Sequence, residues 1–142
     1  MVVAWKNTRT SFGGDMSTVL LVDDEPGILT ALEAILRDEG HVVLSTENGA
    51  RGLEKARECE PDVIVSDWMM PVLDGVGLFA ALQENPELRG VPVVMMSATH
   101  PPPDLPLLGY LRKPFDIAIL LRLIEKAGIR PRKANRLRPS FP

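Results

Sequence analysis

Val63-Ile64-Val65-Ser66-Asp67-Trp68-Met69-Met70-Pro71 joins a β-branched apolar run to a polar break, and that junction decides how the chain folds. Three consecutive β-branched residues without polar alternation describe a strand covered on both faces, as in a parallel sheet. The same pattern recurs upstream at Val19-Leu20-Leu21-Val22 and Val42-Val43-Leu44, and downstream from Val91 to Met96. A weaker fifth candidate is Leu107-Leu108 with Tyr110-Leu111. The intervals read as helices. Ile28, Leu32, Ile35 and Leu36 mark one face of the first, with Pro26 near its start and Gly40 just past its end. Leu53 and Ala56 support a second, Leu78, Phe79 and Leu82 a third, and Ile117, Leu120, Leu121 and Ile124 a last one closed by Gly128.

Alternating strands and helices predict an α/β fold: a five-stranded parallel sheet, doubly wound in the flavodoxin-like manner, with right-handed crossovers. At 142 residues, 45% of them hydrophobic and 25% charged, the chain has the size and composition of one ordinary globular domain. No apolar run approaches the roughly 20 residues of a membrane helix, and Met1 to Met16 lack a signal-peptide core. The single cysteine, Cys59, has no disulfide or zinc partner and reads as a small semi-buried residue. A cytoplasmic protein is expected.

In such sheets ligands bind beyond the carboxyl ends of the strands, at the point where strand order reverses. The first strand runs into Asp23-Asp24-Glu25 and the third into Ser66-Asp67. Carboxylates converging there repel one another and call for a proton or a cation. A hard divalent ion such as Mg²⁺ is suited to oxygen ligands of this kind and to an added phosphate oxygen. The fourth strand ends in Ser97-Ala98, and the fifth is followed by Lys113-Pro114-Phe115, which adds a hydroxyl and an ammonium. A carboxylate at Asp67, ionised at neutral pH, can attack phosphorus without a separate base while cations hold the transferring charge.

The set Val22-Asp23-Asp24-Glu25-Pro26, Ser66-Asp67-Trp68-Met69-Met70-Pro71 with Leu73-Asp74-Gly75, Ser97-Ala98 and Lys113-Pro114-Phe115 resembles the receiver domain of bacterial two-component response regulators, over about residues 17-127. Four motifs in order at predicted strand ends make the combination specific. The resemblance implies that Asp67 is the phosphoacceptor, taking a phosphoryl group from a sensor histidine kinase or a phosphotransfer protein. It implies Mg²⁺ on Asp24, Asp67 and the backbone carbonyl of Met69, with Asp23 acting through water. Lys113 would bind the phosphoryl oxygen, Ser97 would move toward it, and Tyr110 would be the switch aromatic. A cis Lys113-Pro114 bond is also implied. On this reading the chain is a stand-alone signalling switch rather than an enzyme. Its only chemistry is self-phosphorylation and slow hydrolysis of the acyl phosphate, and its output is binding to a downstream protein.

Blander readings accompany each residue. Asp23 and Asp24 alone would read as helix caps, Asp74-Gly75 as a turn or cap, and His100 as a solvated loop histidine. Trp68 reads as packing, placed to report optically on the site, and Met69-Met70 and Met95-Met96 as core and rim. The runner-up function is a degenerate receiver that acts as a constitutive protein-binding module. A phosphatase of the haloacid-dehalogenase type would need a second Asp two positions after Asp67, where Met69 stands.

Ser97 and Lys113 are only 16 positions apart, with Pro101, Pro102, Pro103 and Pro106 between them. That leaves the family's usual fourth helix, part of its signalling surface, absent or reduced to a turn. Phe115, Ile119 and Leu123 widen the apolar face of the last helix, which then either binds a partner or a second copy, or is covered by the proline-rich segment. Residues 1-16 read as an irregular extension, with Met16 the expected functional start. Residues 128-142 read as a basic flexible tail: Arg130, Arg132, Lys133, Arg136 and Arg138, without an acid, give it +5 against -8 for the rest. With no nucleic-acid module before it, a solvated end is expected rather than a nucleic-acid site.

Overall fold

The computed structural model describes residues 16–128; residues 1–15 of the expected extension and 129–142 of the basic tail lie outside them. Five strands, β1 (Thr18–Val22), β2 (Val42–Thr46), β3 (Val63–Asp67), β4 (Val93–Ser97) and β5 (Gly109–Arg112), form one sheet in the order β2-β1-β3-β4-β5, with every pairing parallel. Four helices accompany it: α1 (Pro26–Asp38), α2 (Gly49–Cys59), α3 (Gly75–Gln83) and α4 (Ile117–Gly128). The flavodoxin-like arrangement anticipated from the apolar runs is therefore the one observed. No helix of the described residues is long and apolar enough to cross a membrane.

Alternation along the strands divides the core in two. Val19, Leu21, Val63, Val65, Val94 and Met96 pack with Leu29, Leu32 and Leu36 of α1 and Leu120 and Ile124 of α4. Leu20, Val22, Ile64, Val93 and Met95 pack on the other face with Ala56 of α2 and Leu78, Phe79 and Leu82 of α3. Helices thus lie on both faces, and the strand order reverses between β1 and β3, whose carboxyl ends carry Asp23 and Asp67.

Local chemistry sets the element ends. Pro26 opens α1, and Gly40 follows its C-cap at φ 95°, a left-handed conformation that glycine adopts without strain. The Asn48 side chain accepts from Arg51 N–H to cap α2, and Asp74 accepts from Gly77 N–H to cap α3. Asp23 and Asp24 do not cap α1; Glu25 holds that position without a side-chain bond.

The fifth strand departs from its expected position. Leu107 and Leu108 precede it, and the paired residues are Gly109 to Arg112. Gly109 permits this because Leu123 of α4 lies against it: a Cβ there would stand 2.5 Å from the Leu123 side chain. Between β4 and β5, residues 98–108 carry bends and no helix, as the four prolines predict. Leu108 packs on the α1/α4 core beside Leu121 and Leu123, whereas Leu105 and Leu107 pack on the opposite core. The wide face of α4 is therefore partly covered from within, and Ile119 stays 41% exposed.

Candidate functional site

Three of the five strands deliver the polar groups. β1 ends beside Asp23, β3 carries Asp67 as its last residue, and β4 carries Ser97 as its last. Asp23, Asp67 and Ser97 are all buried. Lys113 follows β5 across a cis Lys113-Pro114 bond, and its Nζ lies 3.2 Å from Asp23 Oδ2, 3.2 Å from Asp67 Oδ1 and 3.3 Å from Glu25 Oε1. Asp23, Glu25 and Asp67 place carboxylate oxygens within 4.8 Å of one another. Asp23 Oδ1 also accepts from Glu25 N–H at 2.9 Å, which tightens the turn leaving β1.

A cleft of about 380 Å³ opens over these groups, lined by Asp24, Glu25, Asp67, Met69, Ser97, Ala98, Thr99 and Lys113. Asp24 is exposed on its wall, and Met69 is 51% exposed at its rim. Of the residues assigned to the site from sequence, Asp24, Asp67, Met69, Ser97 and Lys113 line the cleft, while Asp23 is buried against Lys113 and Tyr110 lies on β5. Glu25, quoted in the motif but given no role, joins the cluster. Its place in the acidic run Asp23-Asp24-Glu25 put it near the site, but the contact with Lys113 forms only in the fold.

Burial raises the pKa of Asp23, against the smaller opposing effects of the Glu25 N–H and of Lys113. Burial also raises that of Asp67, and the neighbouring Asp23 adds to it while Lys113 opposes. For Lys113, burial works against the charged form, but Asp23 and Asp67 together outweigh it and the net direction is upward. One ammonium faces three carboxylates, so negative charge is left over. An all-oxygen, incompletely compensated donor set of this kind fits a hard divalent cation.

The loop after Asp67 is held by close backbone approaches. Gly75 N–H donates to Trp68 O at 2.7 Å, and Gly49 N–H donates to Leu73 O at 3.1 Å. Gly75 is required there, because a Cβ would stand 2.5 Å from Asp67 O. Between these clamps Val72 takes φ 73° and is 81% exposed, an uncommon conformation for a β-branched residue.

Ser97 Oγ accepts from Thr99 N–H at 3.2 Å and from His100 N–H at 3.0 Å. Tyr110, partly buried on β5, donates its hydroxyl to His100 O. His100 is not the solvated loop residue expected: its ring stacks on Trp68 with centroids 4.6 Å apart, and Nδ1 meets Thr99 Oγ1 at 2.9 Å. Tyr110 meets the same Trp68 edge-on at 6.5 Å. A lone histidine without partner spacing gave no sign of this stack.

A doubly wound parallel sheet with an acid cluster and one lysine at its switch point defines an α/β module whose polar site lies at the carboxyl edge of the sheet. The response regulator receiver domain family matches residues 19–125, and the chain belongs to that family. Protein PilH of Pseudomonas aeruginosa is 35% identical over 116 residues, covering 78% of this chain and 96% of PilH. The chemotaxis protein CheY4 of Vibrio cholerae superposes with a TM-score of 0.72 at 30% identity, covering 79% of this chain and 98% of that one. The receiver domain of sensor histidine kinase PA1611 from Pseudomonas aeruginosa, solved with a magnesium ion coordinated in its active site cleft, gives 0.71 at 30% identity, covering 78% and 95%. Against longer transcriptional regulators the chain spans from 26% to 52% of their length.

Proposed function

We propose that this chain is a phosphorylation-controlled switch in which Asp67 accepts a phosphoryl group from a sensor histidine kinase or a phosphotransfer protein. The observation that carries this reading is Lys113 Nζ bridging Asp67 and Asp23 in a cleft that Ser97 completes. An Asp67 carboxylate oxygen is the nucleophile, and the donor's phosphorus–nitrogen bond breaks as the new oxygen–phosphorus bond forms. Lys113, already held within reach of Asp67, pairs with a phosphoryl oxygen and relinquishes part of its contact with Asp67. Both acceptor positions of Ser97 Oγ are filled by N–H donors, so its remaining capacity is to donate, and a phosphoryl oxygen is the acceptor it can serve.

Asp23 and Asp67, with Asp24 and the Met69 carbonyl as the family resemblance implies and Glu25 as the observed cluster suggests, would hold Mg²⁺. When bound, the ion supplies positive charge against the transferring phosphoryl oxygens. Hydrolysis of the acyl phosphate resets the switch, with Met69 and Thr99 on the cleft wall governing approach of water. Output is binding to a downstream protein, and the helix-free link between β4 and β5 gives this receiver an altered surface for it.

The test is intact mass after incubation with acetyl phosphate and Mg²⁺. One phosphoryl adduct is expected, lost in Asp67→Asn and on chelation. An unmodified mass, under conditions that label another receiver, would favour the runner-up, a constitutive binding module that keeps the fold.

A further inference from the structure

Residues 98–108 have no helix to set their path, and Pro101, Pro102, Pro103 and Pro106 contribute no N–H donors. What places the start of this link is one residue. His100 N–H donates to Ser97 Oγ, its carbonyl accepts from the Tyr110 hydroxyl, its ring lies on Trp68, and Nδ1 meets Thr99 Oγ1. Trp68 is itself a fixed platform. Its N–H donates to Met96 O at 2.9 Å, and its carbonyl accepts from Gly75 N–H at 2.7 Å.

We propose that His100 is a positioning residue that couples Ser97 to Tyr110, its ring anchored on Trp68 so that its own N–H and C=O link the two hydroxyls. The proposal rests on the reading of Asp67 as phosphoacceptor. Ser97 Oγ cannot shift toward a phosphoryl group on Asp67 without dragging or losing the N–H groups of Thr99 and His100. Either event displaces the His100 carbonyl, and with it the acceptor that holds the Tyr110 hydroxyl. The imidazole makes the relay selective: while stacked, it ties the position of those backbone atoms to the residue next to the phosphoacceptor. Without the ring, the His100 backbone keeps its bonds to Ser97 and Tyr110 but loses the anchor on Trp68 that makes a movement of one displace the other by a fixed amount.

Tyr110 is the only tyrosine in the chain, so the full-length protein labelled with 3-fluorotyrosine gives one ¹⁹F resonance. That resonance is followed with acetyl phosphate and Mg²⁺, and intact mass on the same sample gives the phosphorylated fraction. The native protein is expected to show the adduct and a shifted resonance. His100→Gly is expected to form the adduct to the same extent while losing most of the shift, and His100→Phe, which keeps an aromatic ring for the stack, to restore it. Trp68→Leu, which removes the platform from the other side, is expected to behave as His100→Gly does. A full shift in both His100→Gly and Trp68→Leu at equal phosphorylation overturns the coupling, as does a native adduct with an unmoved resonance. Absence of the adduct in the native protein overturns the Asp67 reading itself, and the coupling with it.

Discussion

Lys113 and Asp23, 90 positions apart in the chain, meet at 3.2 Å across the carboxyl edge of the sheet. The Lys113 side chain is largely buried and Asp23 almost wholly so, and Asp67 shares the same ammonium. The three groups form one electrostatic unit assembled from both ends of the described chain. Removing the cation leaves two buried carboxylates facing each other.

Lys113→Met is therefore expected to destabilise the metal-free protein by about 1–3 kcal/mol. This is below the ~3–5 kcal/mol seen when a fully buried pair is broken, since the acids can take up protons instead. Thermal unfolding in the presence of a chelator checks it. The same variant is expected to lose phosphorylation by acetyl phosphate, read by intact mass.

Asp67→Asn acts in the opposite direction. Burial holds Asp67 and Asp23 above the ordinary carboxylate value of about 4, so the fold favours their neutral forms. That contribution is full below about pH 4 and is lost as pH rises through the folded values. Lys113 is raised, so its contribution is full below its usual value of about 10.4 and is lost only above it. At neutral pH without metal, Asp67→Asn is expected to be more stable than the native chain by about 1 kcal/mol, or roughly 3–4 °C in Tm. The difference should shrink toward pH 4, and unfolding scans across that range decide it.

Mg²⁺ should reverse the order. An ion that binds only the folded state at about 100 times its Kd stabilises by about 2.7 kcal/mol. The native protein is expected to gain Tm with Mg²⁺ and to change its Trp68 emission, measured in a Trp5→Phe background. Asp67→Asn and Asp23→Asn should respond weakly or not at all. Equal responses in all three would place the ion elsewhere.

The loop after Asp67 offers two substitutions of opposite sign. Gly75→Ala puts a Cβ 2.5 Å from Asp67 O and should destabilise by about 1–3 kcal/mol, as overpacking against backbone does. Val72→Asn, at φ 73° and largely exposed, should stabilise by up to about 1 kcal/mol, because asparagine tolerates the left-handed region. Denaturant unfolding of the two variants beside the native chain tests both.

The strands that hold the site were legible because each is buried on both faces and ends abruptly in a charged or hydroxyl residue. Val63-Ile64-Val65 followed by Asp67 could hardly be read otherwise. β5 was harder: Leu107 and Leu108 are as apolar as a strand, yet they pack on opposite cores before the pairing begins at Gly109. The missing helix was readable from four prolines, since a proline ring excludes the helix interior whatever surrounds it. Glu25 and His100 were not assigned their places, for a shared reason. Glu25 reaches Lys113 only after the chain has closed, and His100 finds Trp68 only when β3 and β4 lie side by side.

β5 is one edge of the sheet, four residues long, with Leu111 its one buried residue. Edges of this kind come loose more often than the centre of a sheet, through local openings far less costly than global unfolding. Each opening of β5 withdraws Lys113 from Asp23 and Asp67, so the acids stand uncompensated for as long as the edge stays frayed. The site's charge balance thus has a lifetime, set by the hydrogen bonds of one short strand, and amide exchange at Leu111 is the clock that reads it.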